Sequence, residues 1–288
     1  MILKIEPIAS ALGAQVSGID LAQPLAPETR EALIRAWHKH QVLRFRDQLL
    51  TPRALMDFSL NFGDLELHEN YLAEVRHESH PEVLMVRSTT VRGERVVFGQ
   101  QWHADLTYTT RPAKGACLHC LRLPDAGGDT LFANTILAYE ALSAPMRRII
   151  DALEVVHDLT NGRSYADKSH EQVMAARLRN PPVIQPMVRV HPDTGRKALN
   201  VSEWMCRRIV GMSEEESRGI LQFLFEQATR PEFTFRQSWK VGDLVMWDNA
   251  STLHMALADY APDQLRELMR TSLIGTPSGR LLESAPCN

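Results

Sequence analysis

Short runs of alternating apolar and polar residues, separated by Gly, Pro and Asn turns, predict a mainly β chain with flanking helices. The architecture expected is a double-stranded β-helix, the jelly-roll or cupin-like barrel, with its helices packed outside. Three observations carry this expectation. Strand-like alternation recurs along most of the chain, the helical stretches come with their own caps, and no internal repeat, low-complexity tract or linker splits the 288 residues. Barrels and sandwiches of this length often form one unit, so a single domain over 1–288 is expected.

The elements follow in order. Residues 4–24 contain short β-like pieces and a turn at Ser17-Gly18, after which Ala26-Pro27-Glu28 opens a helix reaching about His40. A strand over 41–45 precedes a helix over 53–61, bracketed by Thr51 as N-cap, Pro52 in the first helical position and Gly63 past the last turn. From 64 to 80 periodicity fades into a loop carrying His68, Tyr71, His77 and His80. Ser143 begins a helix to about Asp151, and 153–158 reads as a strand. Residues 160–182 are polar and rich in Arg and Lys, without strand alternation; an insertion of that length suits a lid better than a core element. Ser213 with Glu216 is a capping box that starts an amphipathic helix through GILQFLFEQA. Alternation over 233–239 then feeds a hairpin: strand 243–248, turn Asn249-Ala250-Ser251, and strand 252–256 carrying His254.

Composition narrows the function. With 44% hydrophobic and 23% charged residues the chain can bury a full core, and a formal charge of −3 offers no basic surface for nucleic acid or an acidic membrane. No apolar run approaches the roughly 18 residues that span a bilayer. Four cysteines and no signal-peptide pattern at the start predict a reduced, cytoplasmic protein. Cys117 and Cys120 form a CxxC inside the strand-like GACLHCLRL, where residues three apart point to opposite faces, so they are expected to be plain buried thiols.

The chemistry concentrates in FGQQWHADLTYTTRPAKGACLHCLRLPDAGGDTLFANT, 98–135. Its types read as a strand at His103-Ala104-Asp105, which would place the imidazole and the carboxylate on one face as a two-point metal clamp. With 11 His and 15 Asp in 288 residues, about 0.6 His-x-Asp pairs are expected by composition alone, so the pair needs a third ligand. A second copy, His191-Pro192-Asp193, falls in a Pro-Asp-Thr-Gly turn between two strand-like runs and is read as hairpin structure. The third ligand offered is His254 in WKVGDLVMWDNASTLHMALADY. Two His and one carboxylate form the facial triad of non-haem Fe(II) oxygenases, although zinc hydrolases use similar ligand types.

WHADLTY, PAKGACLHCLRLPDAGGDTLFANTILAYEAL and GDLVMWDNASTLHMALADY, with Arg266 and Arg270 behind them, resemble the TauD/TfdA family of Fe(II)- and 2-oxoglutarate-dependent dioxygenases. The similarity runs from LGAQVSGIDLAQPL to RTSLIG. It implies Fe(II) on His103, Asp105 and His254, with 2-oxoglutarate and O2 as cosubstrates. It also implies that Arg266 and Thr130 grip the C5 carboxylate of 2-oxoglutarate, an Arg fork being suited to two parallel N–H···O bonds. Arg270 takes the position that reaches an anion near the iron, either the cosubstrate's C1 carboxylate or a group on the substrate, and Leu106 offers its backbone N–H to the same anion. His68 and Tyr71 match a His and a Tyr that contact substrate in the taurine branch. The family's Asn ahead of the WH motif has no counterpart in Gly99-Gln100-Gln101, where Gln100 or Gln101 could substitute.

The activity implied is hydroxylation of a small anionic substrate with release of succinate and CO2, in a homo-oligomer of two to four chains. Asp105 argues for a hydroxylase, because related halogenases carry a small residue there. Segments GRKALNV, EEESRGILQFLFEQATR and WKVGDLVMWDN lean toward the aryloxyalkanoate branch, whereas His68 and Tyr71 pull toward alkylsulfonates and alkyl sulfates. Two further classes remain open at this point: a zinc hydrolase, and a barrel that only binds an anion.

Overall fold

The computed structural model describes residues 2–68, 75–91, 94–96 and 99–282. Its amino-terminal third already mixes strand and helix. Strands β1 (Lys4–Pro7) and β2 (Ala14–Ser17) form an antiparallel pair. Helix α1 (Pro27–His40) then returns the chain to β3 (Val42–Phe45), which runs parallel to β2. A parallel neighbour requires such a crossover, and here it lays a helix on the sheet. In α2 (Pro52–Ser59) the Thr51 hydroxyl accepts the Ala54 N–H at 3.1 Å, the cap expected from the sequence.

The chain continues through β4 (Arg76–His77), β5 (His80–Arg87), β6 (Thr89–Val91), β7 (Glu94–Val96), β8 (Gly115–Arg122) and β9 (Thr130–Asn134). Helices α3 (Thr135–Glu140) and α4 (Ala144–Ile150) lead to β10 (Glu154–His157), α5 (His170–Arg179), β11 (Val183–Pro186), β12 (Val188–Val190), β13 (Lys197–Leu199) and β14 (Cys206–Ile209). Helix α6 (Glu214–Ala228) carries the predicted capping box, with Ser213 and Glu216 bonding each other's backbone N–H. The last strands are β15 (Thr234–Gln237), β16 (Leu244–Asp248), β17 (Thr252–Ala256), β18 (Glu267–Leu273) and β19 (Arg280–Leu281).

These strands do not close a barrel, which corrects the expected double-stranded β-helix. The main sheet has eight strands in the order β1-β2-β3-β16-β8-β18-β5-β4, with β1 and β4 at its edges among the described residues. A three-stranded sheet, β15-β9-β17, and a four-stranded one, β14-β10-β11-β19, are separate, as are the pairs β12-β13 and β6-β7. The result is a mixed α/β fold of several small sheets. Alternation reveals which residues of a strand share a face, but the choice of partner strand is made far away in sequence. The expected hairpin around His254 shows the consequence: β16 pairs with β3 and β8, while β17 crosses to the small sheet and pairs with β9.

The core lies on both faces of the main sheet. One face packs Phe45, Cys117, Met246 and Met269 against Leu33 and Trp37 of α1 and Leu55 and Phe58 of α2. The other packs Leu118, Cys120, Trp247 and Leu268 against Phe132 and Phe235 of the three-stranded sheet. Cys117 and Cys120 thus serve opposite faces as free thiols, and burial pushes each up to about 12. No helix among the described residues is long and apolar enough to cross a membrane.

Candidate active site

His254 reaches the site from β17, between the two packed sheets, with its ring 4.8 Å from that of Trp247. His103 is docked beside it by backbone: the His103 N–H donates to the His254 carbonyl at 3.1 Å and the reverse bond is 2.8 Å. That single bridge replaces the strand expected at 103–105. Beyond it the chain turns, with Leu106 at a φ of 57°, and this turn rather than strand alternation brings Asp105 back to the imidazoles.

Asp105 Oδ1 stands 3.7 Å from Nε2 of both His103 and His254, and the donor atoms of the three residues all lie within 4.8 Å of one another. All three side chains are buried. Bonds of roughly 2.1 Å to one ion would set neighbouring donors about 3.0–3.4 Å apart, so the spacing needs only a small closure. The tautomer fits as well: His103 Nδ1 lies 2.7 Å from the Gln101 carbonyl and must donate to it, which leaves the Nε2 lone pair facing Asp105. Burial lowers the pKa of His103, against the pull of Asp105, and that of His254 well below the usual value, so both are the neutral ligand form. For Asp105 burial acts upward, but the Arg270 guanidinium outweighs it and holds the carboxyl below its usual range.

One arginine adjoins this centre, and a second is buried behind Thr130. The Arg270 guanidinium sits 2.6 Å from Asp105 Oδ2 and 5.4 Å over the Trp247 ring. Arg266 lies just ahead of β18, which has a bulge between Glu267 and Leu268, and is fully buried. Its Nε donates to the Gly128 carbonyl at 2.7 Å and its Nη2 to the Thr130 hydroxyl at 3.2 Å. Among the described residues it forms no ion pair, and Asp129 and Asp259, whose charges reach it, are paired with Arg236. Both hydrogen-bond acceptors of this buried cation are neutral, and the charges of Asp129 and Asp259 reach it only from a distance. His68, with φ 54°, is buried within electrostatic range of Arg270 and Asp105; burial first and Arg270 second push it down to about 3. Tyr71 lies outside the described residues.

The profile of the taurine catabolism dioxygenase TauD, TfdA family matches residues 4–272. This chain belongs to the TauD/TfdA family. An alkylsulfatase from Acinetobacter baylyi is 32% identical over 286 residues, covering 95% of this chain and 85% of the relative. An (S)-phenoxypropionate/alpha-ketoglutarate-dioxygenase from Sphingobium herbicidovorans is 32% identical over 283 residues, covering 95% of this chain and 96% of the relative. The crystal structure of a taurine dioxygenase from Burkholderia xenovorans superposes with a TM-score of 0.83 at 33% identity, covering 99% of this chain and 96% of that one. The protein is therefore an Fe(II)- and 2-oxoglutarate-dependent dioxygenase, which removes the zinc-hydrolase and anion-binder readings.

In this TauD/TfdA enzyme several supporting residues escaped the sequence. The Trp239 indole N–H donates to Thr130 Oγ1 at 3.0 Å, so that oxygen accepts from both Trp239 and Arg266 and its own proton is left to donate. The Gln101 Oε1 accepts the Arg163 N–H at 2.8 Å, from the segment expected to form a lid. Beside Arg163, Gly162 is pressed against Trp204, where a Cβ would fall 2.1 Å from the indole nitrogen, and Trp204 packs edge-on to His103 at 4.7 Å. The second His-x-Asp lies away from the triad. His191 Nδ1 accepts the N–H groups of Asp193 and Thr194, and its Nε2 meets Asp248 at 2.5 Å, in the turn of the β12-β13 hairpin.

Proposed function

We propose that this enzyme hydroxylates a small alkyl sulfate ester or alkylsulfonate at the carbon next to the heteroatom. The observation that carries the reading is the alkylsulfatase relative, which matches 95% of this chain. With the taurine dioxygenase structure, it favours the sulfate and sulfonate branch over the aryloxyalkanoate one to which the sequence segments lean. Geometry supports it: Arg270 and a neutral His68 supply a cation and an N–H donor, which suits an anionic head with three acceptor oxygens.

In this reading His103 and His254 through Nε2, and Asp105 through its carboxylate, hold Fe(II). Arg266 and Thr130 take the C5 carboxylate of 2-oxoglutarate, while Arg270, the Leu106 amide and His68 face the substrate anion. Iron, 2-oxoglutarate and O2, when bound, supply the oxidising power for one C–H hydroxylation, with release of succinate and CO2. The residues orient the substrate so that the carbon beside its anion faces the metal, and Trp204 and Trp247 exclude water around the imidazoles. Hydroxylation of a sulfate ester at that carbon gives a hemiacetal-type ester, whose C–O bond breaks to leave an aldehyde and inorganic sulfate.

Substrate-dependent succinate release, scored with alkyl sulfates, alkylsulfonates, aryloxyacetates and aryloxypropionates, tests the proposal. Stimulation by a sulfate or sulfonate, with sulfate or sulfite appearing in step with succinate, is expected. Turnover confined to the aryloxy acids would overturn it in favour of the other branch.

A further inference from the structure

The Asn249 side chain joins the turn after β16 to the loop that carries Asp105, across 144 positions of sequence. Its Oδ1 accepts the Asp105 N–H at 2.7 Å, and its Nδ2 donates to the carbonyls of Asp105 and Ala113, each at 2.9 Å. Donor and acceptor roles are fixed by that pattern, because flipping the amide would face N–H against N–H and oxygen against two carbonyls. Asp105 and Ala113 also bond each other, Ala113 N–H to Asp105 carbonyl at 3.3 Å, so the carboxamide closes the neck of the loop. Asn249 is itself buried, and its own N–H is held by the Lys114 carbonyl at 3.0 Å.

This neck matters because of what surrounds it. Leu106 next to Asp105 adopts a left-handed φ of 57°, a conformation that a leucine keeps only where its surroundings hold it. Without strand pairing at Asp105, nothing in the local sequence dictates where the carboxylate stands. His254 lies five residues after Asn249 on the same passage between sheets. One side chain therefore ties the carboxylate to the element that delivers the second imidazole.

We propose that Asn249 is a positioning residue of the metal centre, fixing Asp105 relative to His254. The inference rests on the reading of His103, Asp105 and His254 as the metal ligands. It distinguishes Asn249 from Gln185, which supports the same loop farther on by donating to the carbonyls of Thr107 and Thr109 at 3.1 and 2.8 Å.

Mn(II) binding, measured by calorimetry on the wild type and the Asn249→Ala, Asn249→Leu and Gln185→Ala variants, provides the test. Loss of outer support to a metal ligand costs about 10- to 100-fold in affinity, and that is the drop expected for both Asn249 variants. Gln185→Ala should stay within about threefold of wild type, as should 2-oxoglutarate affinity at saturating Mn(II) in every variant. An unchanged Mn(II) affinity in folded Asn249→Ala overturns the proposal alone, and so does an equal loss in Gln185→Ala. A wild type that binds no Mn(II) overturns the ligand assignment and the proposal with it. Hydrogen exchange on the metal-free wild type covers the case in which the variants do not fold. The peptide around Asp105 should be protected, and exchange there at the rate of unstructured chain refutes the clamp.

Discussion

Arg266 shows how much one buried side chain can say. Burial lowers its pKa and the neighbours it bonds are the neutral Gly128 carbonyl and Thr130 hydroxyl, which is why the proposed function gives it the C5 carboxylate. Replacement by an apolar side chain of similar length, Arg266→Met, should weaken 2-oxoglutarate binding by about 30-fold to several thousand-fold, the equivalent of about 2–5 kcal/mol for a lost charge-assisted pair. The unfolding midpoint without 2-oxoglutarate should not fall, because a buried charge without a counter-ion costs the free protein stability rather than adding to it. Titration calorimetry with Mn(II) in place of iron checks the first, and thermal melts the second; unchanged cosubstrate affinity would hand the carboxylate to Arg270. Single residues were legible unevenly. Arg266 and Thr130 stood out through the resemblance, since a lone strand Thr and a lone Arg carry no signal. Asn249 and Trp239 did not, because an Asn in a turn and a Trp beside a strand are ordinary until their partners, 144 and 109 positions away, are known.

At the scale of elements, what the sequence discloses depends on where the determining contacts lie. The caps of α2, α4 and α6 are local, so Thr51, Ser143 and Ser213 marked those helices within a few residues. Helix α5 has an equally local capping box, Ser169 with Gln172, but only Ala176 is buried, so it shows no apolar stripe. The misread strand at 103–105 fails for the opposite reason, its turn being held by a distant side chain. Strand β10 offers a test of burial. His157 is 1% exposed with Cys206 Sγ 3.4 Å from its Nε2, and burial pushes it down from 6.5 to about 4 despite a backbone hydrogen bond with Asn200. Between those two values the unfolded chain binds a proton that the folded one refuses. Stability therefore rises with pH through that window, and is lost as pH falls from 6.5 toward 4, by about 3 kcal/mol for this one group. Urea unfolding at pH 7.5 and 4.5 should show His157→Gln losing less stability on acidification than wild type by about that amount. Equal losses in the two proteins would show that His157 is not held neutral.

For the whole molecule, strand existence was readable and sheet membership was not. A period of two is a property of a segment, whereas the order β3-β16-β8-β18 and the crossing of β17 into another sheet depend on pairings spread over the entire chain. That arrangement makes the metal centre a product of global folding. Asp105 comes from a loop after β7 and His254 from a strand about 150 positions later, and their donor atoms meet only when the two sheets are packed. An ion that binds the folded chain alone shifts its unfolding by mass action: at 100 times its dissociation constant the gain is about 2.7 kcal/mol. Mn(II) should thus raise the unfolding midpoint of the wild type, and chelation should reverse the rise. Asp105→Ala should abolish the increment, because two imidazoles without the carboxylate lose the charged member of the set. His191→Ala should be less stable in every condition, since it leaves the buried Asp248 carboxylate short of its partner, yet should keep the full metal increment. If His191→Ala lost the increment and Asp105→Ala kept it, the metal would belong to the other His-x-Asp and the centre between the sheets would have to be reassigned.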